Sequence, residues 1–199
     1  MTWPDQVGRV VGAATGDQVT PEAGFGPLSV DVPAAAWRAA LLAVRDELGC
    51  TFFDWLSAVD ELDDGFRLVC HVAAPRPGHV DHLVVRTLLG RSAPTVESAV
   101  PVWRGAAWHE RETHEMFGVE FTGGAALDGL LLPDAFEGHP LRKDFVLASR
   151  VAKPWPGSKE PGESDSAAAP SRRRMRPPGV PEPEEWGPRS PTDSDEEPT

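Results

Sequence analysis

The sequence is short of cysteine. It has two in 199 residues, and Cys50 and Cys70 are spaced neither as a CxxC pair nor as a metal-ligand set. Both sit among apolar neighbours, which reads as two buried, reduced thiols rather than a disulfide. No run approaches the roughly 20 apolar residues that span a bilayer. The opening "MTWPDQVGRVVGAATG" has neither the basic flank nor the apolar stretch of a secretory signal, so the chain is expected to be made in, and to stay in, the cytoplasm. Positive charge is scarce too. Lys and Arg number 19 against 31 Asp and Glu, net −12, which argues against nucleic acid, where clustered cations must face phosphates. There is no GxGxxG, no Walker loop, no GxSxG and no cysteine set for an iron–sulfur cluster, one of which a self-sufficient enzyme of this length would normally carry.

What the chain has in excess is proline. Eleven of its 21 prolines lie in the last fifty residues. The acidity lies in the body, with 11 basic and 21 acidic residues up to Ser149 against 8 and 10 beyond it. This divides the chain into an α+β domain over residues 1–149 and a Pro-rich tail over 150–199, extended or disordered when free because it cannot bury enough apolar surface. Trp155 and Trp186, each near prolines, are out of keeping with that composition. They are expected to anchor the tail as a strap on a partner.

Within the body, the stretch to about Pro27 is rich in Gly and Pro and promises no more than a short helix or strand. From Pro33, Trp37, Leu41, Val44 and Leu48 recur at helical spacing, and Gly49 ends the helix. Three strand candidates follow: "CTFFDWLSAVDEL", "FRLVCHVAA" with Phe66, Leu68, Cys70 and Val72 on one face before a break at "PRPG", and "HVDHLVVRTLLG". "DELDDG" and "PRPGHVD" read as hairpin-like links. The fold class is α+β, a two-layer domain with a mixed or antiparallel sheet and packed helices, plus the extended tail. A short strand or turn then precedes a helix running through Met116 and stopped by Gly118, a brief "VEF" strand and a long loop.

The chemistry concentrates in "WHERETHEMFG", Trp108 to Gly118. A zincin pairs its histidines four apart on one helical face, whereas His109 and His114 are five apart and about 140° from each other. The carboxylates Glu110, Glu112 and Glu115 share one helix rather than facing across a cleft as glycosidase acids do. Trp108, Glu112 and Met116 form a stripe that reads as core-facing, with a carboxylate in its middle. Such a charge needs a cation or another protein against it, and Arg142 or Lys143 in "FEGHPLRKDF" is the expected partner. Arg111 and Glu115 make an ordinary i, i+4 pair.

Together these two segments resemble the C subunit of respiratory complex I, the NADH–quinone oxidoreductase. Glu110, Arg111, Glu112, Glu115, Met116 and Phe117 match the first part of the family signature. Gly138, His139, Pro140, Leu141, Arg142, Lys143, Asp144 and Phe145 match the second. The likeness extends more loosely from Pro33, and "KPWPGSKEPGES" is similar to tails of high-GC Gram-positive members. One segment departs: many members have a GHP-type turn and two arginines where this chain has "GGAALDGLLLP". The resemblance implies a cofactor-free structural subunit in the hydrophilic arm of a proton-translocating complex, redox-inert alone. That complex uses FMN, iron–sulfur clusters and a quinone. The implied partners are chiefly the quinone-site subunit and the terminal iron–sulfur subunit, with the chain peripheral on the cytoplasmic face of the cell membrane. It implies no catalytic, cofactor-binding or metal residues in this chain. Two other readings stay open: the equivalent subunit of a membrane-bound hydrogenase or other-donor quinone reductase, and a stand-alone hydrolase using the His/Glu helix.

Overall fold

The computed structural model describes residues 2–133 and 135–145; the tail, with Trp155 and Trp186, lies outside them. Alternation of apolar and polar residues builds the sheet. β1 (Leu28–Asp31), β2 (Phe52–Asp60), β3 (Phe66–Arg76) and β4 (His79–Leu89) are arranged in the order β1-β4-β3-β2. The β2–β3 and β3–β4 pairs are antiparallel and β1 runs parallel to β4, so the sheet is mixed. As the alternation predicts, Phe66, Leu68, Cys70 and Val72 are all buried on one face. Register places Leu89, Thr87, Val85 and Leu83 beside them.

Three elements differ from the sequence expectation. The opening contains a 13-residue helix, α1 (Trp3–Thr15), held at its start by a reciprocal capping box between Thr2 and Asp5. Its Gly12 looks like a loop signal, yet a Cβ there would lie 2.9 Å from the Asp17 carbonyl oxygen, so glycine lets the chain fold back along the helix. β1 has no sequence signal of its own, because four residues are too few to show a period and its partner lies 55 positions away. Finally, β3 does not break at the first proline. Pro75 is within it, beyond Ala73, the last β3 residue that β2 pairs, so no β2 ladder bond is lost there.

The helix from Pro33 forms as expected. A 3-10 turn (Ala34–Ala36) leads into α2 (Trp37–Asp46), with Trp37, Leu41, Val44 and Leu48 buried and Gly49 at φ 70°. α1 contributes Val7, Val10 and Val11 to the same core. Cys50 and Cys70 are free and buried; burial pushes the Cys50 thiol up to about 12 and raises that of Cys70 as well. The other face of the sheet is uncovered among the described residues, with Phe52, Trp55, Val59, Val80 and Leu88 all exposed.

β5 (Thr95–Glu97) and β6 (Glu120–Thr122) pair in parallel, and between them in sequence lies α3 (Ala106–Phe117), which packs against the edge strand β2. His109 Nδ1 lies 3.2 Å from the Leu56 carbonyl oxygen, so a proton on that nitrogen donates to the strand edge. This holds α3 at the rim of the sheet.

Candidate functional site

The helix with the charged motif is rotated relative to the sequence expectation. Its buried residues are Ala106, Glu110, Thr113 and Phe117, whereas Trp108 is 64% exposed and Glu112 points to solvent. The expected core stripe of Trp108, Glu112 and Met116 is therefore wrong. So is the expected pairing of Glu112 with Arg142 or Lys143. Arg142 donates instead to the Phe117 carbonyl, and Lys143 is held through its N–H by Asp60. Two contacts fix the rotation: His109 on the β2 edge, and Glu110 in the turn after β5.

Glu110 is the buried carboxylate. The Ser98 hydroxyl donates to Oε2 at 2.7 Å and the Ala99 N–H to Oε1 at 2.6 Å. Burial raises its pKa, and these two donors together with the nearby Arg38 charge pull the other way without overturning it. Arg38 reaches the same turn by donating to the carbonyls of Ser98 (3.1 Å) and Thr122 (2.8 Å). A Cβ on Gly124 would strike the Ser98 side chain, so "GG" at 123–124 lets the loop cross this buried group.

The remaining motif residues clamp the loop that follows β6. Arg111 donates to the carbonyls of Asp128 and Gly129. Glu115 collects the N–H groups of Leu130 (2.6 Å) and Leu131 (2.8 Å), with Leu132 more distant at 3.5 Å. Burial pushes the Glu115 carboxyl up, but those backbone donors and Arg111 outweigh it and leave the pKa lowered. The Arg111–Glu115 pair is thus more than a solvated face: both side chains turn onto the loop.

"GHPLRKDF" is tied to the end of the same helix. His139 Nδ1 is 2.8 Å from the Glu115 carbonyl, Leu141 N–H donates to Met116 O at 3.1 Å, and Arg142 Nε donates to Phe117 O at 2.6 Å. These carbonyls belong to the last turn, which has no helical partner for them, and cationic side chains are the favourable donors there. Arg142 also lies over the Phe66 ring, 5.1 Å from its centroid. Gly118 (φ 74°) and Gly138 (φ 91°) make the two reversals that let the strap formed by residues 139–145 double back, while Pro140 lies in the turn that follows.

Sequence reasoning missed the second anchor, Asp60, at the end of β2. It is 3% exposed, accepts from Arg91 Nη1 at 2.6 Å and from the N–H groups of Leu62 and Lys143, each at 2.8 Å. Burial pushes its pKa up, but the Arg91 hydrogen bond and the two N–H donors hold it down at about 2. Arg91 also binds Asp144 at 2.8 Å, so the whole Arg142–Asp144 segment is fastened. The signal was present: Asp60 continues the period-2 series Leu56, Ala58 on the buried side of β2.

With Glu110, Arg111, Glu115, His139 and Arg142 turned onto the loop or the core, and Asp144 paired with Arg91 at the surface, the exposed residues here include Trp108, Glu112, Leu131 (59% exposed), Leu141 (53% exposed) and Lys143. Trp108, His109, Glu112, Leu130 and Leu131 border a cavity of about 200 Å³. The arrangement is a largely apolar rim around a carboxylate that has no ion pair among the described residues, suited to receiving a cationic side chain with an apolar stem. His109 and His114 each face a different backbone carbonyl, Leu56 and Val119, and do not converge.

A family model described as the respiratory-chain NADH dehydrogenase, 30 Kd subunit, matches residues 30–151. The C subunits of the NADH-quinone oxidoreductases of Brucella abortus and Brucella ovis are each 37% identical to this chain over 131 residues, covering 64% of it and 63% of them. The chain thus matches a little under two thirds of the length of these relatives. Among solved structures, a trypsin-resistant fragment (1–134) of Nqo5 superposes with TM-score 0.51 at 22% identity, covering 61% of this chain and 98% of that one. A chain of an archaeal respiratory membrane complex, the membrane-bound sulfane sulfur reductase, superposes with TM-score 0.56 at 22% identity, covering 71% and 88%. At that identity the two structures establish a shared fold.

Proposed function

Because the chain belongs to the family of the respiratory-chain NADH dehydrogenase 30 Kd subunit, we propose that it is a structural, cofactor-free subunit of a proton-translocating NADH–quinone oxidoreductase. It docks through the outer side of α3 and the loop clamped to it. The observation that carries this reading is the division of labour within the motif. Five of its charged side chains hold the loop or the core; Lys143 is left exposed, and Glu112 is left outside between Trp108 and Leu131. Glu110 and Glu115, the acids a hydrolase on this helix would use, are instead occupied by backbone and hydroxyl donors.

The complex supplies the FMN, iron–sulfur clusters and quinone, and the chain alone is redox-inert. Its docking partners are the quinone-site subunit and the terminal iron–sulfur subunit. Among the described residues no helix is long and apolar enough to cross a membrane, which fits a peripheral position on the cytoplasmic face reached through the other subunits. Purification of the tagged chain from native membranes tests this assignment. Co-purification of NADH–quinone oxidoreductase subunits is the expected result. Recovery with hydrogenase subunits instead, or a flavin or cluster absorbance that stays with the isolated chain, overturns it.

A further inference from the structure

The uncovered face of the sheet carries a group of side chains that docking through α3 does not use. His71 on β3 and His82 on β4 lie on this face with their rings stacked, centroids 5.3 Å apart and planes within 9°. His82 Nδ1 is 3.2 Å from His71 Nε2. On its other side, His71 Nδ1 is 2.8 Å from the Asp54 carboxylate.

The position of Asp54 is a product of backbone irregularity. The β2–β3 register shifts between Phe53 and Trp55, so Asp54 is the extra residue of a bulge, opposite no residue of β3. Bulges re-aim side chains, and this one puts a carboxylate on the imidazole of the neighbouring strand. Trp55 then stacks on the same imidazole, 5.8 Å between centroids. Phe52, Ala73, Pro75 and Val80 wall an adjoining cavity of about 240 Å³. His71 is 7% exposed, fixed by the carboxylate and the indole, while His82 is exposed and held on one side only, by His71.

We propose that His71 Nε2 and His82 Nδ1 form a binding site for one borderline transition cation of the zinc type, with Asp54 orienting His71 and water filling the remaining positions. Two imidazole nitrogens on a tetrahedral zinc, each about 2.0–2.1 Å from it, stand about 3.3–3.4 Å apart. The observed 3.2 Å is close to that separation, and turning the exposed His82 ring would redirect its lone pair from His71 toward a shared cation. A ligating histidine ordinarily donates its other N–H to a carboxylate, which fixes the tautomer and raises ligand basicity; Asp54 holds that place for His71. To ligate through Nδ1, neutral His82 carries its single proton on Nε2, so both imidazoles bind as neutral ligands.

The test is calorimetric titration of the full, tag-free chain with zinc chloride, with melting temperature as a second readout. One saturable equivalent per chain is expected, with a melting temperature that rises with zinc. His82→Gln, an exposed change that leaves the fold intact, should weaken binding at least tenfold, and His71→Gln likewise. Asp54→Asn should weaken it on the order of tenfold, as loss of an orienting carboxylate does. His79→Gln, elsewhere on β4, should leave it unchanged. Absence of saturable binding in the parent chain overturns the assignment, as does undiminished binding in His82→Gln.

Discussion

Asp60 and Glu110 are two buried carboxylates with opposite responses to pH. Asp60 titrates near 2 when folded, against an ordinary value of 3.8. Its stabilisation is therefore complete above about pH 4 and fades as pH falls toward 2, an effect of roughly 2 kcal/mol. Asp60→Asn should lower stability at pH 7 by about that amount and flatten the acid limb of the stability curve, measured by urea unfolding from pH 2 to 7. Glu110 has a raised folded pKa, so its contribution is full below the ordinary value of 4.5 and is lost as pH rises through the folded one. Glu110→Gln should accordingly cost about 1 kcal/mol or less at pH 7, because burial already penalises the charged form and the amide keeps the side chain's shape. Glu110→Ala, which strands the Ala99 N–H in a cavity, should cost about 3 kcal/mol. Equal losses in the two variants would mean that a neutral amide cannot replace the carboxyl, against the raised pKa. At this scale the sequence showed that a motif carboxylate needed a partner and pointed to Glu112, because Trp108 and Met116 lay on its stripe. Which of three glutamates turns inward depends on Ser98 and Ala99, residues of another segment, and no helical periodicity reports them.

At the scale of elements, α3 works as a clamp whose last turn and side chains hold residues 128–132 and 139–142. Gly118 is its hinge. At φ 74° a side chain is strained, and a Cβ there would lie 2.6 Å from His139 Nε2 and closer still to Arg142. Gly118→Ala should cost about 2 kcal/mol, and the released strap should be cut by trypsin at Arg142 and Lys143 before the rest of the body. Glu115→Gln, which exchanges charge-assisted hydrogen bonds for neutral ones, should loosen residues 130–132 in hydrogen exchange while α2 keeps its protection. Uniform loss of protection would show that the loop is not separately clamped. Elements with ten or more periodic residues were legible from sequence: α2, α3 and the two long hairpin strands. The short β1 was not, because its evidence is non-local pairing. α1 was hidden by glycines whose purpose is close packing.

The whole molecule is acidic, net −12, and presents two unlike surfaces. One is the apolar sheet face with its histidine pair; the other is the rim of α3, with one carboxylate among Trp108, Leu131 and Leu141. The sequence motif and the family both pointed to the second. The first was legible only as alternation, since the bulge that brings Asp54 to His71 leaves no trace in the pattern. In the proposed function, Glu112 is spared from the clamp so that it can meet a cation on another subunit. The most direct test is the yield of partner subunits recovered from native membranes with a tagged Glu112→Lys chain. The change lies on an exposed helix position, so stability should move by no more than about 0.5 kcal/mol. Recovery of partners should fall at least tenfold, as when a charge inside an interface is reversed. Full recovery at unchanged melting would contradict this role, because Glu112 would then be only a solvated residue on the outside of a clamp.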